Sequence, residues 1–451
     1  MGKWGLNPLG YRLKRAGVRE DTMNSQDKTS TALPVGLLIL LTATNALNFV
    51  DRNLLSSFAN FLKPELHLTD TQFGLLTGLV FLIFYAVAGL FMGMLADLTH
   101  RPRLVAAAIA LWSLLTAVSG AAKGFVSLAL PRALIGIGES ALSPAAISLL
   151  ADRVNRTRMG LATAIYYMGV PLGTGIGLLV AGYLGPALGW RNCFYAIGAV
   201  GILLSLAFLF VREPRVVQTS EVEKRPSLAS QISHLVEALK RSPSLAATMA
   251  GGVALHISVG AAQFDQLWFV AERGFDKAEI ARLAGYITVI AGVSGNLFGG
   301  LVGDWWQKNM KSGRPMLMAC LMVVLIPAAV LYRLSSPGSA LFYVGMGIGV
   351  FQLAAFYGPT FSTVQDLAPV RARATVTAFY ILCLNVIGLG IGNTGMGIVV
   401  DHLRSIGEPQ PYTIAIIIFI CVSALAVPAF YLAGIWSKRD RASLEDAGAQ
   451  A

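Results

Sequence analysis

Gly93-Met94-Leu95-Ala96-Asp97 recurs 207 positions later as Gly300-Leu301-Val302-Gly303-Asp304, and each copy closes a long apolar run. Farther along, Pro144, Arg156, Arg158, Gly173, Gly175 and Gly177 are matched by Pro359, Arg371, Arg373, Gly388, Gly390 and Gly392 at an offset of 215. The difference between the offsets fits a longer loop around Lys311. Single glycines agree by chance easily, but an ordered series in corresponding places does not. The sequence therefore reads as a duplication.

The repeated unit is membranous. Charged residues make up only 13% of the 451 and hydrophobic ones 55%, so lipid is the expected solvent. A bilayer core needs about 20 apolar residues per helix. Twelve such runs fall near 34–60, 71–95, 104–122, 125–151, 159–184, 193–211, 246–270, 280–302, 315–333, 340–365, 374–400 and 413–436. The expected fold is an all-α membrane protein of twelve transmembrane helices in two six-helix, pseudo-symmetric halves. Two such halves related by an axis along the membrane normal are the architecture of a rocking transporter. The predicted divisions are an N-tail (1–33), a first bundle (34–211), a linker (212–245), a second bundle (246–436) and a C-tail (437–451). Within the linker, Ile232, Leu235, Val236 and Leu239 share one face of a short surface helix.

A net charge of +11 suggests nucleic acid in a soluble protein, but here its distribution orients the chain. With the N-terminus placed in the cytoplasm, the loops on that side hold 25 Lys/Arg and the opposite loops seven. The positive-inside rule then puts both termini in the cytoplasm. The excess basic charge is available to membrane lipids, and no nucleic-acid motif accompanies it. The tail lacks a signal peptide's apolar core and cleavage site, and Leu6 stands where a myristoylation motif requires Ser or Thr. No phosphate-binding GxxxxGK[ST] loop, no metal-ligand cluster and no nucleophile paired with a base is present, which argues against ATP drive, cofactors, a metal and an enzyme. The four cysteines lie in or beside the apolar runs as small apolar side chains.

Against that background the embedded charges stand out: Asp51 and Arg52 late in the first run, Arg132 and Glu139 in the fourth. Each costs about 2.5 to 3.5 kcal/mol at a bilayer centre if unpaired, so they face one another or water. Asn48 and Asp51 share a helix face with Arg52 on its flank. Arg132 and Glu139 are two turns apart on one stripe, and Ser143 extends it. Counting from Phe125 places Glu139 about 21 Å along its helix, near the midplane. Structural ion pairing is one reading of this set. Proton coupling is the other, with Asp51 and Glu139 as carriers and Arg52 and Arg132 as their partners or as holders of an anionic substrate. The repeat favours the second, because the equivalents of Asp51 and Glu139 are Ser258 and Ala354.

Gly93-x-x-x-Asp97-x-x-x-Arg101-x-Arg103 resembles the cytoplasmic signature of the major facilitator superfamily, with Leu98 and His100 departing from it. The second copy is looser, since Trp305-Trp306 follow Asp304 and the basic residues move to Lys308 and Lys311. Asn48-Phe49-Val50-Asp51-Arg52, the stretch from Arg132 to Pro144, Ala151-Asp152, Tyr166-Tyr167 and Gly189-Trp190-Arg191 resemble its spinster branch. A neighbouring branch of organic-anion symporters carries similar pairs. The resemblance implies a central cavity walled by the first helix of each three-helix unit, and so inward-facing charges. It also implies alternating access with a cytoplasmic gate, here Gly93, Asp97, Arg101, Arg103, Arg158, Gly300, Asp304 and Arg373. Further cavity candidates are Tyr166, His256, Gln263, Gln352, Phe356 and Tyr357, a polar and aromatic mix suited to a large amphipathic ligand.

The function expected is proton-coupled secondary transport, by a monomer, of a lysophospholipid-like or sphingoid-phosphate-like anion. Two alternatives stand beside it: symport of small carboxylates or sugar acids, and a non-transporting receptor.

Overall fold

The computed structural model describes residues 34–213, 228–310, 312–369 and 372–449, so the N-tail and part of the linker lie outside the described residues. Twelve helices cross in series. They are α1 (Val35–Ser57), α2 (Asp70–Thr77 and Leu79–Leu98), α3 (Arg101–Gly120), α4 (Phe125–Ala151), α5 (Arg158–Tyr183) and α6 (Gly185–Phe208), then α7 (Pro243–Ala271), α8 (Lys277–Asn309), α9 (Gly313–Leu334), α10 (Ala340–Leu367), α11 (Thr375–Ser405) and α12 (Pro411–Ala442). Eleven are long and apolar enough to span by length and composition alone. The twelfth is α1, a helix of 23 residues whose apolar character is diluted by Asn45, Asn48, Asp51, Arg52 and Asn53. Twelve crossings put the start of α1, the end of α6, the start of α7 and the end of α12 on one face, called here the linker face; the other is the far face.

Short polar signals start the helices. Thr69 and Gln72 form a reciprocal capping box at α2, Asp276 caps α8 by accepting from the N–H groups of Ala278 and Glu279, and Ser242 caps α7 ahead of Pro243. Outward-facing side chains such as Phe210, Leu301 and Ile290 are mostly exposed, as expected of surface that meets hydrocarbon. A short helix (Leu228–Arg241) precedes α7 and buries Leu235 and Ala238 against the second half, leaving Ile232 and Val236 outside.

The duplication is visible in the packing. A Cβ at Gly173 of α5 would run into the Ala46 carbonyl of α1, and one at Gly392 of α11 would run into the Ile257 carbonyl of α7. The glycine runs therefore let equivalent helices approach backbone to backbone in each half.

The apolar core shows how the halves meet. Near the far face one continuous cluster joins them, with Phe58, Phe73 and Phe194 from the first half against Phe264, Trp268 and Tyr412 from the second. Toward the linker face the core divides into one cluster in the first half, around Trp112, Leu150 and Phe208 at the level of α3, α4 and α6, and one in the second, around Met318, Phe356 and Phe430. Among the described residues, the hydrogen bonds that bridge the halves follow the same division. Ser56 donates to Gln263, Asn60 to the Gln266 carbonyl and Arg282 to the Gly182 carbonyl, and Tyr183 pairs with Tyr286, all toward the far face. Among the described residues the halves are joined at the far face and parted at the linker face.

Candidate transport site

The four embedded charges converge where α1 passes α4, and the structure gives each a different environment. Arg52 Nε donates to Glu139 Oε2 at 2.7 Å. Glu139 is fully buried at the point where α4 breaks for a turn at Ser140, while 18% of the Arg52 side chain remains exposed. Asn48 lies beside the same carboxylate. Three rings surround the Arg52 guanidinium, with its carbon 4.3 Å from the centroid of Tyr85, 5.2 Å from Phe49 and 5.3 Å from Phe81. The arginine is held by one acid and an aromatic collar, with one side open.

Asp51 is buried and has no arginine bonded to its carboxylate. Its Oδ1 accepts from Thr116 Oγ1 of α3 at 2.7 Å, and its Oδ2 has no hydrogen-bond partner. Arg132 is buried too, and it bypasses both acids. Its Nη1 donates to the Asp51 carbonyl at 3.2 Å and its Nη2 to the Arg52 carbonyl at 2.8 Å, with the Phe81 ring 4.8 Å away. The resemblance implied that these four residues face one cavity. It did not show that Arg132 grips the α1 backbone, because that depends on how far one helix slides along the other.

Thr116 and Tyr85 were not singled out from the sequence. An uncharged threonine or a tyrosine on an apolar helix carries no signal that separates it from packing.

The other cavity candidates divide. Ser143 Oγ lies 3.5 Å from the hydroxyl of buried Tyr166, whose carbonyl accepts from Asn45 at 2.9 Å and ties α5 to α1. In the second half His256 shares Nδ1 with the Gly252 carbonyl at 3.0 Å and meets the Tyr357 hydroxyl at 3.4 Å through Nε2. Its ring packs edge-on against Phe356, at 5.1 Å between centroids. Tyr357 packs edge-on against both His256 and Phe356, at 5.7 and 5.4 Å between centroids. Gln352 is buried in α10. Gln263 stands where α7 loosens into a single 3-10 turn (Ala262–Phe264), joined to Ser56 and, at 3.4 Å, to Asn53.

At the linker face each half carries its own cluster. Buried Arg101 donates to Asp152 and Glu213, both at 2.5 Å, and to Ser148 at 2.7 Å. In the second half Arg314 bridges Asp304 at 2.8 Å and Asp366 at 2.7 Å. Arg314 opens α9 as Arg101 opens α3, and Asp366 closes α10 as Asp152 follows α4. The counterpart of Arg101 is therefore Arg314; Lys308 is exposed and Lys311 lies outside the described residues. Arg103, Arg158 and Arg373 are exposed, and open space surrounds the Cβ direction of Gly300. The surroundings of Gly93 and the side chain of Asp97 lie outside the described residues.

The family model described as Major Facilitator Superfamily matches residues 41–393. The chain belongs to the major facilitator superfamily. It is a multi-pass secondary transporter and not an enzyme. Among its relatives, an MFS-type efflux pump of Mycolicibacterium smegmatis is 27% identical over 90% of this chain and 93% of its own. A hexuronate transporter of Bacillus subtilis is 28% identical over 84% and 90%, and protein spinster homolog 1 of Xenopus laevis 24% over 91% and 82%. The fold is similar to the crystal structure of a bacterial homologue of the human lysosomal transporter spinster, in an inward-facing and unoccupied conformation. The TM-score is 0.78 at 22% identity, covering 91% of this chain and 99% of that one.

Proposed function

We propose that this transporter moves an amphipathic anion of the lysophospholipid or sphingoid-phosphate type, coupled to protons, with its linker face in the cytoplasm of a bacterial inner membrane. The observation that carries the reading is Arg52, a cation collared by Phe49, Phe81 and Tyr85 and held on one side by Glu139. A phosphate or carboxylate suits its planar fork, and the rings, with Tyr357 and Phe356 opposite, suit an apolar tail.

An arriving anion competes with Glu139 for Arg52. Protonation of Glu139 removes that competition, and deprotonation restores the ion pair and expels the substrate. Asp51, with one oxygen bonded to Thr116 and the other unpartnered, is a second place for a proton. Substrate and proton thus act on one ion pair, which is what coupling requires. The loop charges support a cytoplasmic linker face, and the scheme needs no more than a monomer. The exposed gate residues Arg103, Arg158 and Arg373, with Asp97, Asp304, Gly93 and Gly300, would close the linker face when the far face opens.

The hexuronate-transporter relative favours a second reading, symport of a sugar acid through the same arginine. Thermal shifts of the purified protein at pH 5.5 and 7.5, with lysophosphatidate, sphingosine phosphate and glucuronate as probes, separate the two. The proposal expects stabilisation by the long-chain anions that is lost in Arg52→Ala. Stabilisation by glucuronate alone would overturn it. In proteoliposomes Asp51→Asn should retain exchange of labelled substrate and lose its response to an imposed pH gradient; an unchanged response would remove Asp51 from the coupling scheme.

A further inference from the structure

Asp70, the first residue of α2, is a fully buried carboxylate at the far face. Lys63 of its own half donates to Oδ1 at 2.9 Å. The other partners come from the second half, Tyr412 Oη at 2.6 Å and Arg404 Nη1 at 2.8 Å. A second carboxylate makes the reciprocal contact. Asp401 of α11 crosses to the first half and accepts from the backbone N–H of Asp70 at 3.1 Å and of Thr71 at 2.7 Å. It thereby satisfies orphan donors at the start of α2, where the helix dipole favours negative charge.

The helix segment held in this way is separate from the rest of α2. The backbone leaves helical geometry at Gly78, which ends the piece Asp70–Thr77. The break frees the Thr77 carbonyl, and Asn393 of α11 donates to it at 3.1 Å. One turn before Asn393, α11 itself widens into a π-helical stretch (Cys383–Leu389) of the kind that marks functional irregularity. The end piece of α2 is thus attached by chain to one half and by hydrogen bonds at both of its ends to the other.

We propose that Asp70 and Asp401 form the latch that keeps the far face shut while the linker face is open. Its contacts exist only while the halves touch there. When they part, Asp70 loses Tyr412 and Arg404 but keeps Lys63, so it is not stranded without a counter-ion. Asp401 exchanges two backbone donors for water entering the cleft. The closed state is held by directional bonds and the open state by hydration, and a device of this kind is reversible. The latch rests on alternating access and is independent of which anion is carried.

The test needs no substrate. In a background with the four cysteines replaced, Ser56→Cys places a thiol beneath the latch, where Ser56 is buried and faces Gln263. Whole cells are treated with a membrane-impermeant maleimide, and Pro409→Cys in the exposed α11–α12 loop fixes the side to which reagent is added. With the latch intact labelling at position 56 is slow. Asp401→Asn and Asp70→Asn should each speed it about tenfold while labelling at 409 is unchanged. Equal rates at position 56 in well-folded variants would overturn the proposal. A second measurement covers variants that fold poorly. Oxidising Thr71→Cys/Asp401→Cys should hold position 56 at its slow rate, and reduction should release it; labelling at equal speed in the oxidised and reduced protein would also overturn it.

Discussion

Arg132 donates from Nη2 to the backbone carbonyl of Arg52 at 2.8 Å, although two carboxylates lie in the same cluster. The two arginines therefore do different work. Arg132 fastens α4 to the α1 backbone, and Arg52 pairs with Glu139 and keeps part of its side chain exposed.

Replacing Arg132 should accordingly affect stability first. Arg132→Ala removes two charge-assisted bonds to carbonyls, each worth about 1.5 to 3 kcal/mol. The melting temperature in detergent should fall clearly, and Arg132→Lys, which reaches fewer acceptors, should fall part of the way.

Replacing Arg52 should affect ligand binding. Arg52→Lys keeps the charge and loses the fork, a change expected to weaken anion binding about tenfold, or about 1.4 kcal/mol. The melting temperature without ligand should move much less than in Arg132→Ala. Titration of lysophosphatidate by thermal shift measures both.

Thr116→Val tests the second proton site. It removes the hydrogen bond to Asp51 with little change in volume. The pH dependence of transport should shift while substrate affinity at saturating pH is retained. An identical pH profile would mean that the threonine serves packing alone.

The linker-face clusters should differ in strength. Arg101 is buried among Asp152, Glu213 and Ser148, so Arg101→Ala leaves acids without their cation and should cost about 3 kcal/mol or more. Asp304 is 73% exposed, so Asp304→Asn should cost no more than about 1 kcal/mol. Denaturation of the two variants side by side tests the order.

Asp276 supplies a pH test outside the membrane. The N–H of Glu279, and that of Ala278, hold its carboxyl below the usual carboxylate range. A native pKa below the unfolded one means that the stabilisation is present above about pH 3.9 and fades as pH falls toward the native value. Asp276→Ala should cost about 1 kcal/mol at pH 7. That difference should shrink below about pH 4.

Much of this was legible in the residues. The repeated GxxxD and glycine series implied two equivalent halves, and the packing of Gly173 on α1 and Gly392 on α7 shows why glycine recurs. The meeting of Arg52 with Glu139 was expected from the cost of charge in lipid and from the cavity that the family resemblance implies. The target of Arg132 did not, because a backbone acceptor has no sequence signature. The Asp70 cluster was equally hidden. Lys63, Asp70 and Arg404 fall at the ends of apolar runs, where charge is expected to be solvated, and only the closure of the far face buries the acid. Arg314 escaped notice because the loop before it is longer than its counterpart and displaced it from the position the first offset indicated.

The bond from Asn393 to the Thr77 carbonyl has a consequence for dissecting the protein. A fragment ending in the linker would carry a complete six-helix sequence and yet leave an acceptor bare at the Gly78 break, with hydrocarbon in place of its donor. The first half is therefore expected to lack one backbone partner when made alone. Fragments made separately should therefore reach a stable state only when expressed together, each completing the backbone of the other.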